Sequence, residues 1–323
     1  MNKSHPNHSP YVSVVMPVYN GARTLMESVD SILQQTYHNF ELIICNDAST
    51  DETGDILNKI TDDRVHVICN SNNMGQGLSK DRAINLARGI WIAVIDADDT
   101  WMPYRLETFL GLAEGNEDNI IFDDIMECHD TPSGMIPWRI IHGKYAFGGD
   151  GNEATKVPVD KFLVSERLLI KPLLPLSHIK KYNVHHSDHR FGEDAEFFIM
   201  LLSHGLQLLY IPKPMYNYRI TPGSMTGSTE RSRMMREVLE NSINLFNHDP
   251  IVQAALRKKI AMVARDERYL PFILALKKNE FIKALRLVYQ SPWIVAEFFR
   301  RLGHSMAYQV HRIWHGGKSR GFR

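Results

Sequence analysis

Three aspartates within four residues are the strongest chemical signal in the sequence. Asp96, Asp98 and Asp99 directly follow the apolar run Trp91–Ile95. Carboxylates held this close repel one another unless a cation lies between them. Mg²⁺ and Mn²⁺ take one or two protein carboxylates together with phosphate oxygens, so the spacing indicates a metal site that also binds a nucleotide diphosphate. A solvated acidic turn that caps a helix near Pro103 is the alternative.

Polar residues also follow two apolar runs nearer the N-terminus. The first run, VSVVMP, leads into Tyr19-Asn20-Gly21, where proline ends the strand and Asn-Gly favours a turn. The second run, FELIICN, leads into Asp47, close to the start of a predicted helix. Asp47 could cap that helix. A ligand contact at the rim of the sheet is the other interpretation.

Strands and helices are expected to alternate over the first 128 residues. Short β-branched runs predict strands, and amphipathic stretches between them predict helices at Ala22–Gln35, Glu52–Ile60 and Leu78–Arg88. This order is typical of an α/β fold with a Rossmann-like, mostly parallel sheet flanked by helices. The strand runs are VSVVMP, FELIICN, RVHVIC, IWIAVID and NIIFDDIMEC, and the first four are apolar enough to be buried on both faces.

The predicted sheet brings these polar segments together. In open parallel sheets, ligands bind beyond the carboxyl ends of the strands. The turn after the first strand, Asp47 and the acidic cluster would therefore line one edge of the sheet. Neighbouring strand ends of this kind supply the separate parts of a nucleotide site. The sequence has no phosphate loop of the G-x-x-x-x-G-K-[ST] type, so a P-loop enzyme is excluded.

The ordered motifs of Tyr11–Arg105 resemble the donor half of family 2 inverting glycosyltransferases, which have the GT-A fold. The resemblance lies in VSVVMPVYNGARTLMESVDSILQQTYHNFELIICNDASTDET and NMGQGLSKDRAINLARGIWIAVIDADDTWMP. It implies a UDP-sugar as donor and Mg²⁺ or Mn²⁺ as cofactor. The first acidic residue of the family's D-D-x-S-T-D motif is replaced here by Asn46, and the second is retained as Asp47.

The resemblance also implies which residues bind the donor. Asp98 is expected to face ribose or metal, and Asp98 or Asp99 to bind the metal, with the choice left open. Arg82 is expected to contact the donor from a segment that resembles N-x-G-x-x-x-A-R-N, with Asp81 taken in place of alanine and Ala83 in place of asparagine. The expected donor-binding residues are Pro17, Val18, Tyr19, Asn20, Asp47, Arg82, Asp96, Asp98 and Arg219.

A second part of the resemblance concerns the acceptor. An inverting transfer needs a carboxylate that takes the proton of the attacking hydroxyl group. The Gly192–Asp194 segment resembles the family's G-E-D motif at the start of a helix, which implies Asp194 as the catalytic base and Glu193 in a supporting role. The preference of acidic residues for a helix N-terminus is the plain alternative.

Two segments of the second half have competing interpretations. Tyr218-Arg219, followed by Ser224–Thr226, resembles the family's Y-R-x-x-x-x-S-x-[ST] segment and implies that Arg219 lies near the diphosphate. A surface salt bridge is the alternative for this arginine. The histidine-rich segment His185–His189 lacks the second pair of ligands that zinc needs, so acceptor contact or simple exposure is favoured there.

Motif order and spacing resemble bacterial exopolysaccharide glycosyltransferases, particularly the succinoglycan-type glucosyltransferases. This implies transfer of a hexose, with glucose favoured, from UDP-glucose to a lipid-linked oligosaccharide. One alternative is another surface polysaccharide with a different sugar, and another is a catalytically silent scaffold of a polysaccharide assembly. A nucleotidyltransferase is disfavoured, because it would need a Gly-rich basic loop in place of Pro17–Asn20.

Length and composition fit a globular protein with an appendage. The 323 residues are 44% apolar and 23% charged, which is enough for an ordinary core. We expect a polar tail over 1–10, a catalytic domain over 11–230 with nucleotide-sugar (11–128) and acceptor (129–230) halves, and a helical region over 231–323. Three cysteines without CxxC spacing, and a first dozen residues without an apolar signal region, fit a reducing cytosol.

The charge of the chain is unevenly distributed. From Ile251 onward there are fifteen Lys or Arg and four Asp or Glu, which makes this tail +11 and, since the total is zero, the remainder −11. Phe281–Tyr289 and Trp293–Tyr308 mix aromatic, aliphatic and basic residues at helical spacing, as in an interfacial helix on an anionic membrane. A helical cap is the alternative. No nucleic-acid-binding motif is present, so we expect a peripheral protein on the inner face of the cytoplasmic membrane.

Overall fold

A computed structural model describes residues 9–132, 134–141, 147–148, 153–165, 168–189, 191–220 and 229–300. The strands are β1 Val12–Val18, β2 Phe40–Asn46, β3 Val65–Cys69, β4 Trp91–Val94, β5 Thr100–Trp101, β6 Asn119–Thr131, β7 Gly134–Ile141, β8 Thr155–Val157, β9 Leu173–Pro175 and β10 Gln207–Ile220. The helices are α1 Leu25–Leu33, α2 Thr53–Leu57, α3 Gln76–Leu86, α4 Arg105–Ala113, α5 Val159–Leu163, α6 Leu176–Lys181, α7 Glu193–Ser203, α8 Thr229–Ser242, α9 Pro250–Lys277 and α10 Phe281–Gln290.

Within the described residues the ten strands form one mixed sheet. Its main path runs β3-β2-β1-β4-β9-β6-β10-β5, while β7 pairs with β6 and β8 pairs with β10. The first four strands are parallel, as the sequence predicts, and β6 and β10 form a second parallel pair. The short antiparallel strand β9 lies between these two groups. The predicted α/β class, with helices flanking the sheet, is confirmed.

Burial in the sheet follows the position of each strand. Every residue of β1, β2 and β4 is buried, because each of these strands has a neighbour on both sides and helices cover the faces. The prediction that β3 is equally buried is wrong. This strand forms an end of the sheet and leaves His66, Val67 and Cys69 exposed.

Two local features differ from the sequence prediction at the first strand ends. The helix expected over Glu52–Ile60 is only Thr53–Leu57, and Asp51, just before it, accepts the Thr53 N–H at 3.0 Å. Ser49 does not cap this helix but accepts the backbone N–H of Asn20 at 2.9 Å. The turn after β1 is therefore tied to the turn after β2.

Strand β10 is much longer than the predicted run LQLLYI, which ends at Ile211. It continues to Ile220 and pairs with β6 over its whole length, with register shifts on either side of Pro214. Its second half also pairs with β5, where Tyr216 lies opposite Trp101. This extension carries Tyr216 and Arg219 to the acidic cluster.

A buried arginine joins the two halves of the sheet. Arg105, at the start of α4, donates from Nε and Nη2 to the two carboxylate oxygens of Asp123, each at 2.9 Å. Its Nη2 also donates to the backbone carbonyl of Lys171. Both charged side chains are fully buried, and the hydrogen bonds from Nε and Nη2 offset the cost of burying the two charges, although Nη1 has no hydrogen-bond partner among the described residues. The contact fixes the position of Lys171.

The described chain divides into two compact units. The first takes the described residues through Ile220 together with Met234–Ile260, and the second takes 229–233 and those from Ala261 to Arg300. In the second unit, Tyr269, Phe272 and Ile294 are among the residues of a separate small core. Among the described helices, none has the length and apolar character needed to cross a membrane. The Ser224–Thr226 segment and residues 301–323, which the sequence predictions include, lie outside the described residues.

Candidate active site

Asp47 lies at the end of β2 and organises the loop ahead of α3. Its backbone N–H donates to Val18 O at 2.8 Å, which places it beside the end of β1. Its buried carboxylate accepts the N–H groups of Met74 at 2.8 Å and Gly75 at 2.9 Å, and the Asn70 amide at 2.7 Å. Asp47 therefore holds the backbone N–H groups of the loop before α3. It does not cap the helix that follows it in the sequence. The predicted nucleoside contact stays a prediction.

The residues of the expected nucleoside-binding segment differ in how deeply they are buried. Pro17 and Val18 are the last residues of β1 and are buried, whereas Tyr19 is 51% exposed. Asn20 has a positive φ of 52°, and its side-chain oxygen accepts the Thr50 N–H at 2.8 Å. The exposed aromatic ring of Tyr19 at a fixed turn is the part of this segment that is available to stack on a base.

The acidic cluster contains aspartates in three different environments. Asp99 is fully buried, and its carboxylate accepts the Tyr216 hydroxyl at 2.6 Å and the Arg219 backbone N–H at 2.8 Å. Asp98 is half-buried, and burial together with the charge of Asp96 raises the pKa of its carboxyl group to about 6. Asp96 accepts a hydrogen bond from Lys171 Nζ at 2.6 Å.

Asp98 and Asp99 both carry a negative charge that burial and the neighbouring aspartates make unfavourable, but they differ in their hydrogen-bond partners. Asp99 already has its own hydrogen-bond donors, while burial and the charges of Asp98 and Asp96 raise its pKa. Among the described residues there is no cluster of three or more His, Cys, Asp or Glu arranged to hold a metal. One carboxylate completed by diphosphate oxygens and water remains a suitable site for Mg²⁺ or Mn²⁺.

Arg219 is almost completely buried, and its guanidinium group is occupied by protein partners. Nε donates to Asp98 O at 2.6 Å, Nη1 donates to Asp130 at 2.6 Å, and Nη2 donates to Glu27. These contacts join the acidic cluster to α1 and to the end of β6. Arg219 thus holds the acidic cluster in place through hydrogen bonds, and its expected contact with the diphosphate stays a prediction.

Asp194 begins α7 and is surrounded by cationic side chains. Gly192, at a φ of 92°, makes the left-handed turn into the helix. The Asp194 carboxylate lies 2.5 Å from Lys80 Nζ, 3.6 Å from Lys171 Nζ and 3.5 Å from His186 Nε2. Burial alone would raise the pKa of Asp194, but these three groups outweigh it and hold the pKa well below its usual range. The carboxylate is therefore ionised at neutral pH.

Glu193 differs from its neighbour Asp194 in charge environment. Burial and the adjacent negative charge of Asp194 raise the pKa of Glu193. Its carboxylate lies 3.8 Å from Lys80 Nζ, beyond hydrogen-bond distance. These contacts fit the supporting role expected for Glu193, which stays a prediction.

Lys171 connects the acidic cluster with Asp194. Its Nζ contacts Asp96 at 2.6 Å and Asp194 at 3.6 Å. Burial opposes a charge here, but the carboxylates of Asp96, Asp194 and Asp99 outweigh it and raise the pKa of Lys171. One buried ammonium group thus brings the expected donor edge and the expected base into a single site.

The sequence interpretation did not identify Lys80, Lys171 or His186 as site residues. A signal for Lys80 was available: counted from Asn73, the nine-residue pattern N-x-G-x-x-x-A-R-N ends on Ser79, Lys80 and Asp81. The arginine position of the pattern is thus Lys80, which is fully buried against Asp194. Lys171 lies in no recognisable motif.

Arg82 lies two residues after Lys80 in α3, about half a turn around the helix, and its side chain contacts other partners. Its Nη1 donates to Cys69 O at 2.7 Å and to the side-chain oxygen of Asn70. Asn70 also donates to Asp47. Arg82 therefore supports the Asp47 loop, and a direct donor contact for it stays a prediction.

A mixed sheet with carboxylates beyond adjacent strand ends is typical of a nucleotide-binding enzyme. The comparisons agree with this class. The model of glycosyl transferase family 2 matches residues 13–160. An uncharacterized glycosyltransferase of Methanocaldococcus jannaschii, MJ1057, is 30% identical over 217 residues, which span 65% of this chain and 71% of that protein. The chain belongs to glycosyl transferase family 2 and is a glycosyltransferase.

Two further relatives have more specific names. The succinoglycan biosynthesis protein ExoO of Rhizobium meliloti is 24% identical over 332 residues, covering 97% of this chain and 90% of ExoO. The UDP-Glc:alpha-D-GlcNAc-diphosphoundecaprenol beta-1,3-glucosyltransferase WfaP of Escherichia coli is 42% identical over 105 residues. That match covers 32% of this chain and 41% of the length of WfaP.

The fold is also found among solved structures. The structure of Staphylococcus aureus TarS 1–349 in complex with UDP-GlcNAc superimposes with a TM-score of 0.64 and 18% sequence identity. The superposition covers 88% of this chain and 81% of the TarS chain. It confirms the expected GT-A architecture.

Proposed function

We propose that this glycosyltransferase moves glucose from UDP-glucose, with inversion, to a diphosphoundecaprenol-linked saccharide during the synthesis of a surface polysaccharide. The observation that carries the proposal is the Lys171 bridge, with Asp96 at one end and Asp194 at the other. An in-line displacement needs the donor diphosphate and the proton acceptor in one site. The bridge supplies that arrangement.

The choice of substrates is supported by the relatives' names. WfaP is named for UDP-glucose and a GlcNAc-diphosphoundecaprenol acceptor, and its similarity falls within a region of 105 residues. ExoO, named for succinoglycan biosynthesis, is similar over 97% of this chain. The first name specifies glucose transfer to a diphosphoundecaprenol-linked sugar, and the second specifies the biosynthesis of a polysaccharide, succinoglycan.

Asp194 is the proposed base of the transfer. The acceptor hydroxyl attacks the anomeric carbon from the side opposite the leaving UDP, and Asp194 takes the hydroxyl proton as the new bond forms. The carboxylate is ionised because Lys80 and Lys171 lie beside it. Diphosphate next to Lys171 would share this cation, weaken its hold on Asp194 and so make the carboxylate a stronger base.

Asp98 is the proposed ligand of Mg²⁺ or Mn²⁺. It is half-buried, and burial and the Asp96 charge make its ionised form unfavourable without a cation. A bound divalent ion would offset the negative charge on the departing diphosphate. We propose that Asp99, which accepts hydrogen bonds from Tyr216 and Arg219, fixes the loop that carries Asp98.

Release of UDP tests the proposal. The purified full chain is incubated with UDP-glucose, UDP-galactose and UDP-GlcNAc in turn, with and without Mn²⁺, and with GlcNAc-diphosphoundecaprenol as acceptor. We expect acceptor-dependent and Mn²⁺-dependent release that is fastest from UDP-glucose. Faster release from another donor would refute the sugar assignment, and no release from any donor would refute the UDP-sugar site.

We also propose that helix α10 holds the protein on the anionic membrane that contains its acceptor. Its Ile282, Leu285 and Tyr289 side chains lie on one face, and Ile282 and Tyr289 are 87% and 88% exposed. Lys283 and Arg286 lie between them on the same short helix. Exposed apolar residues combined with basic ones are the composition of an interfacial helix. The predicted location on the inner face of the cytoplasmic membrane rests on this helix.

A further inference from the structure

The loop between α6 and α7 contributes a buried histidine to the surroundings of Asp194. His186 is 3% exposed, and its ring stacks on Phe197 with 4.2 Å between centroids and 15° between planes. Its Nε2 lies 3.5 Å from the Asp194 carboxylate. A histidine in the middle of a polar loop is usually exposed. Its burial here therefore needs a specific partner.

Asp81 of α3 is that partner, and it makes two contacts. Its carboxylate accepts the backbone N–H of His186 at 2.8 Å and the Nδ1–H of the ring at 2.6 Å. The first contact fixes the loop and the second fixes the ring. Because Nδ1 donates to Asp81, the remaining nitrogen, Nε2, is directed at Asp194. Carboxylate–histidine contacts of this kind set ring orientation in many sites.

A glycine on α3 allows the loop to come this close. A Cβ atom at Gly77 would lie 3.0 Å from His186 Cβ, 3.1 Å from Ser187 O and 3.3 Å from Glu193 Cγ. Such distances are shorter than ordinary van der Waals contacts. Helix α3, the histidine loop and the start of α7 therefore fit together at Gly77.

Charged groups from two helices face the His186 ring. Asp81 and Lys80 approach from α3, and Asp194 and Glu193 from α7. Burial and Lys80 disfavour an imidazolium ion, but the hydrogen bonds to Asp194 and Asp81 outweigh them and raise the pKa of His186. If His186 served only to pack on Phe197, it would need neither the contact with Asp81 nor a second ring nitrogen directed at Asp194.

We propose that Asp81 and His186 are a pair of positioning residues that hold the Asp194 carboxylate in the orientation from which it takes the acceptor proton. The inference rests on the proposed role of Asp194. Neither residue touches the reacting atoms. His186 acts through Asp194, and Asp81 acts through His186, so the two should behave as one unit.

Kinetics of three variants of the full chain test the pair. Asp81→Asn keeps the size of the side chain but removes its negative charge and one of its two acceptor oxygens, His186→Phe replaces the imidazole by a ring without nitrogen, and the third variant combines them. With UDP-glucose, Mn²⁺ and lipid acceptor, we expect each single variant to lose roughly 10- to 100-fold in kcat. The KM for UDP-glucose should stay within about twofold, since the donor edge is untouched. The double variant should lose no more than either single one.

A conservative variant and two controls separate positioning from folding. His186→Gln keeps an N–H donor near Asp194 and should recover a large part of the kcat that His186→Phe loses. The chemically matched changes His38→Gln and Asp55→Asn lie at exposed positions outside the site and should leave kcat unchanged. Thermal melting of each variant shows whether it is folded.

NMR titration of the His186 ring tests the pair without any substrate. Its signals, assigned by their loss in His186→Gln, should titrate above the ordinary histidine midpoint of about 6.5. Asp81→Asn and Asp194→Asn should each lower the midpoint. The pH dependence of kcat should show a loss of activity as pH rises through this midpoint, which His186→Phe should lack.

Two results would overturn the pair. One is wild-type kcat in a folded His186→Phe variant, and the other is losses that multiply in the double variant. If the wild-type chain releases no UDP from any UDP-sugar, the proposed function fails by itself. The proposed pair is then tested by NMR alone. A titration midpoint of His186 that is unchanged in Asp81→Asn would overturn the pair.

Discussion

Individual aspartates in this site differ in role because their surroundings differ. Asp98 and Asp99 are adjacent in sequence, yet only the Asp99 carboxylate accepts hydrogen bonds from Tyr216 and Arg219. Burial and the charge of Asp96 raise the pKa of Asp98 to about 6. Sequence alone could not distinguish the surroundings of the two carboxylates, because Tyr216 and Arg219 lie more than a hundred residues away.

Substitution of the two aspartates should separate binding from stability. We expect Asp98→Asn to weaken Mn²⁺-dependent UDP binding at least about tenfold, since one carboxylate ligand is lost, with little change in the unfolding free energy. Asp99→Ala should instead destabilise the fold by about 1–3 kcal/mol, because the buried Tyr216 hydroxyl loses its acceptor. Calorimetric UDP titrations and urea unfolding measure the two effects, and the opposite pattern would exchange the proposed roles.

The residues that the sequence could indicate lie in recognisable local patterns. Asp47 and Asp98 follow strand ends, and Asp194 lies at the start of a helix. Lys171 and His186 have no such pattern. Each lies in the site because of a partner that is remote in the sequence. Lys171 contacts Asp96, and His186 contacts Asp81.

At the scale of the elements, α3 connects the two halves of the site. Its start receives the Asp47 loop, and its buried face presents Lys80 and Asp81 to Asp194 and His186. Its end turns through Gly89 into β4, which leads to the acidic cluster. Sequence periodicity located this helix to within two residues. It could not show which face of the helix meets the remote loop before α7.

A substitution in the turn after α3 should test how tightly this element is packed. A Cβ atom at Gly89 would lie 2.6 Å from Ser13 N and 2.8 Å from Val12 C, both backbone atoms of β1. Gly89→Ala should therefore lower the unfolding free energy by about 1–3 kcal/mol, because the backbone of a central strand must move. Urea unfolding at neutral pH measures the change.

Gly111→Ala is the matched control for this substitution. Gly111 lies in α4, and a Cβ atom there meets nothing within 4 Å. The same change should stabilise the protein by up to about 1 kcal/mol, since alanine favours a helix over glycine. Equal effects at the two positions would show that the close approach at Gly89 is not a constraint.

The sequence pattern underestimated the length of β10, whose second half it did not predict. Pro212 and Pro214 interrupt the apolar run, and proline normally marks the end of a strand. Here the register shifts around Pro214 absorb the interruption, and pairing with β6 resumes through Ile220. The strand beyond the shift carries Tyr216 and Arg219, so the irregular part of the element is the part that supports the site.

At the scale of the whole molecule, charge and apolar exposure both concentrate toward the C-terminus. The tail from Ile251 carries a net charge of +11 by sequence count, with fifteen basic and four acidic residues. Helix α10 adds an exposed apolar face. The acceptor of the proposed function is lipid-linked and lies at a membrane surface, and we propose that these two properties provide attraction and insertion there.

Acidic residues on the exposed apolar face of α10 should release the protein from vesicles. We expect the Ile282→Glu/Leu285→Glu variant to lose most of its co-sedimentation with phosphatidylcholine vesicles that contain phosphatidylglycerol, because glutamate cannot enter the interface. Ile251→Glu, at another exposed apolar position of a helix, should bind as the wild-type chain does. Equal sedimentation of the wild-type chain with and without vesicles would remove the membrane proposal.

The configuration of the product tests the central claim most directly. The full chain is given UDP-α-glucose, Mn²⁺ and the GlcNAc-diphosphoundecaprenol acceptor, and the linkage of the purified product is determined by NMR. A single in-line displacement with Asp194 as base predicts a β-glucoside from the wild-type chain and a loss of product of at least about 100-fold in Asp194→Asn, which should still bind UDP. An α-glucoside, or an undiminished yield from Asp194→Asn, would contradict the account.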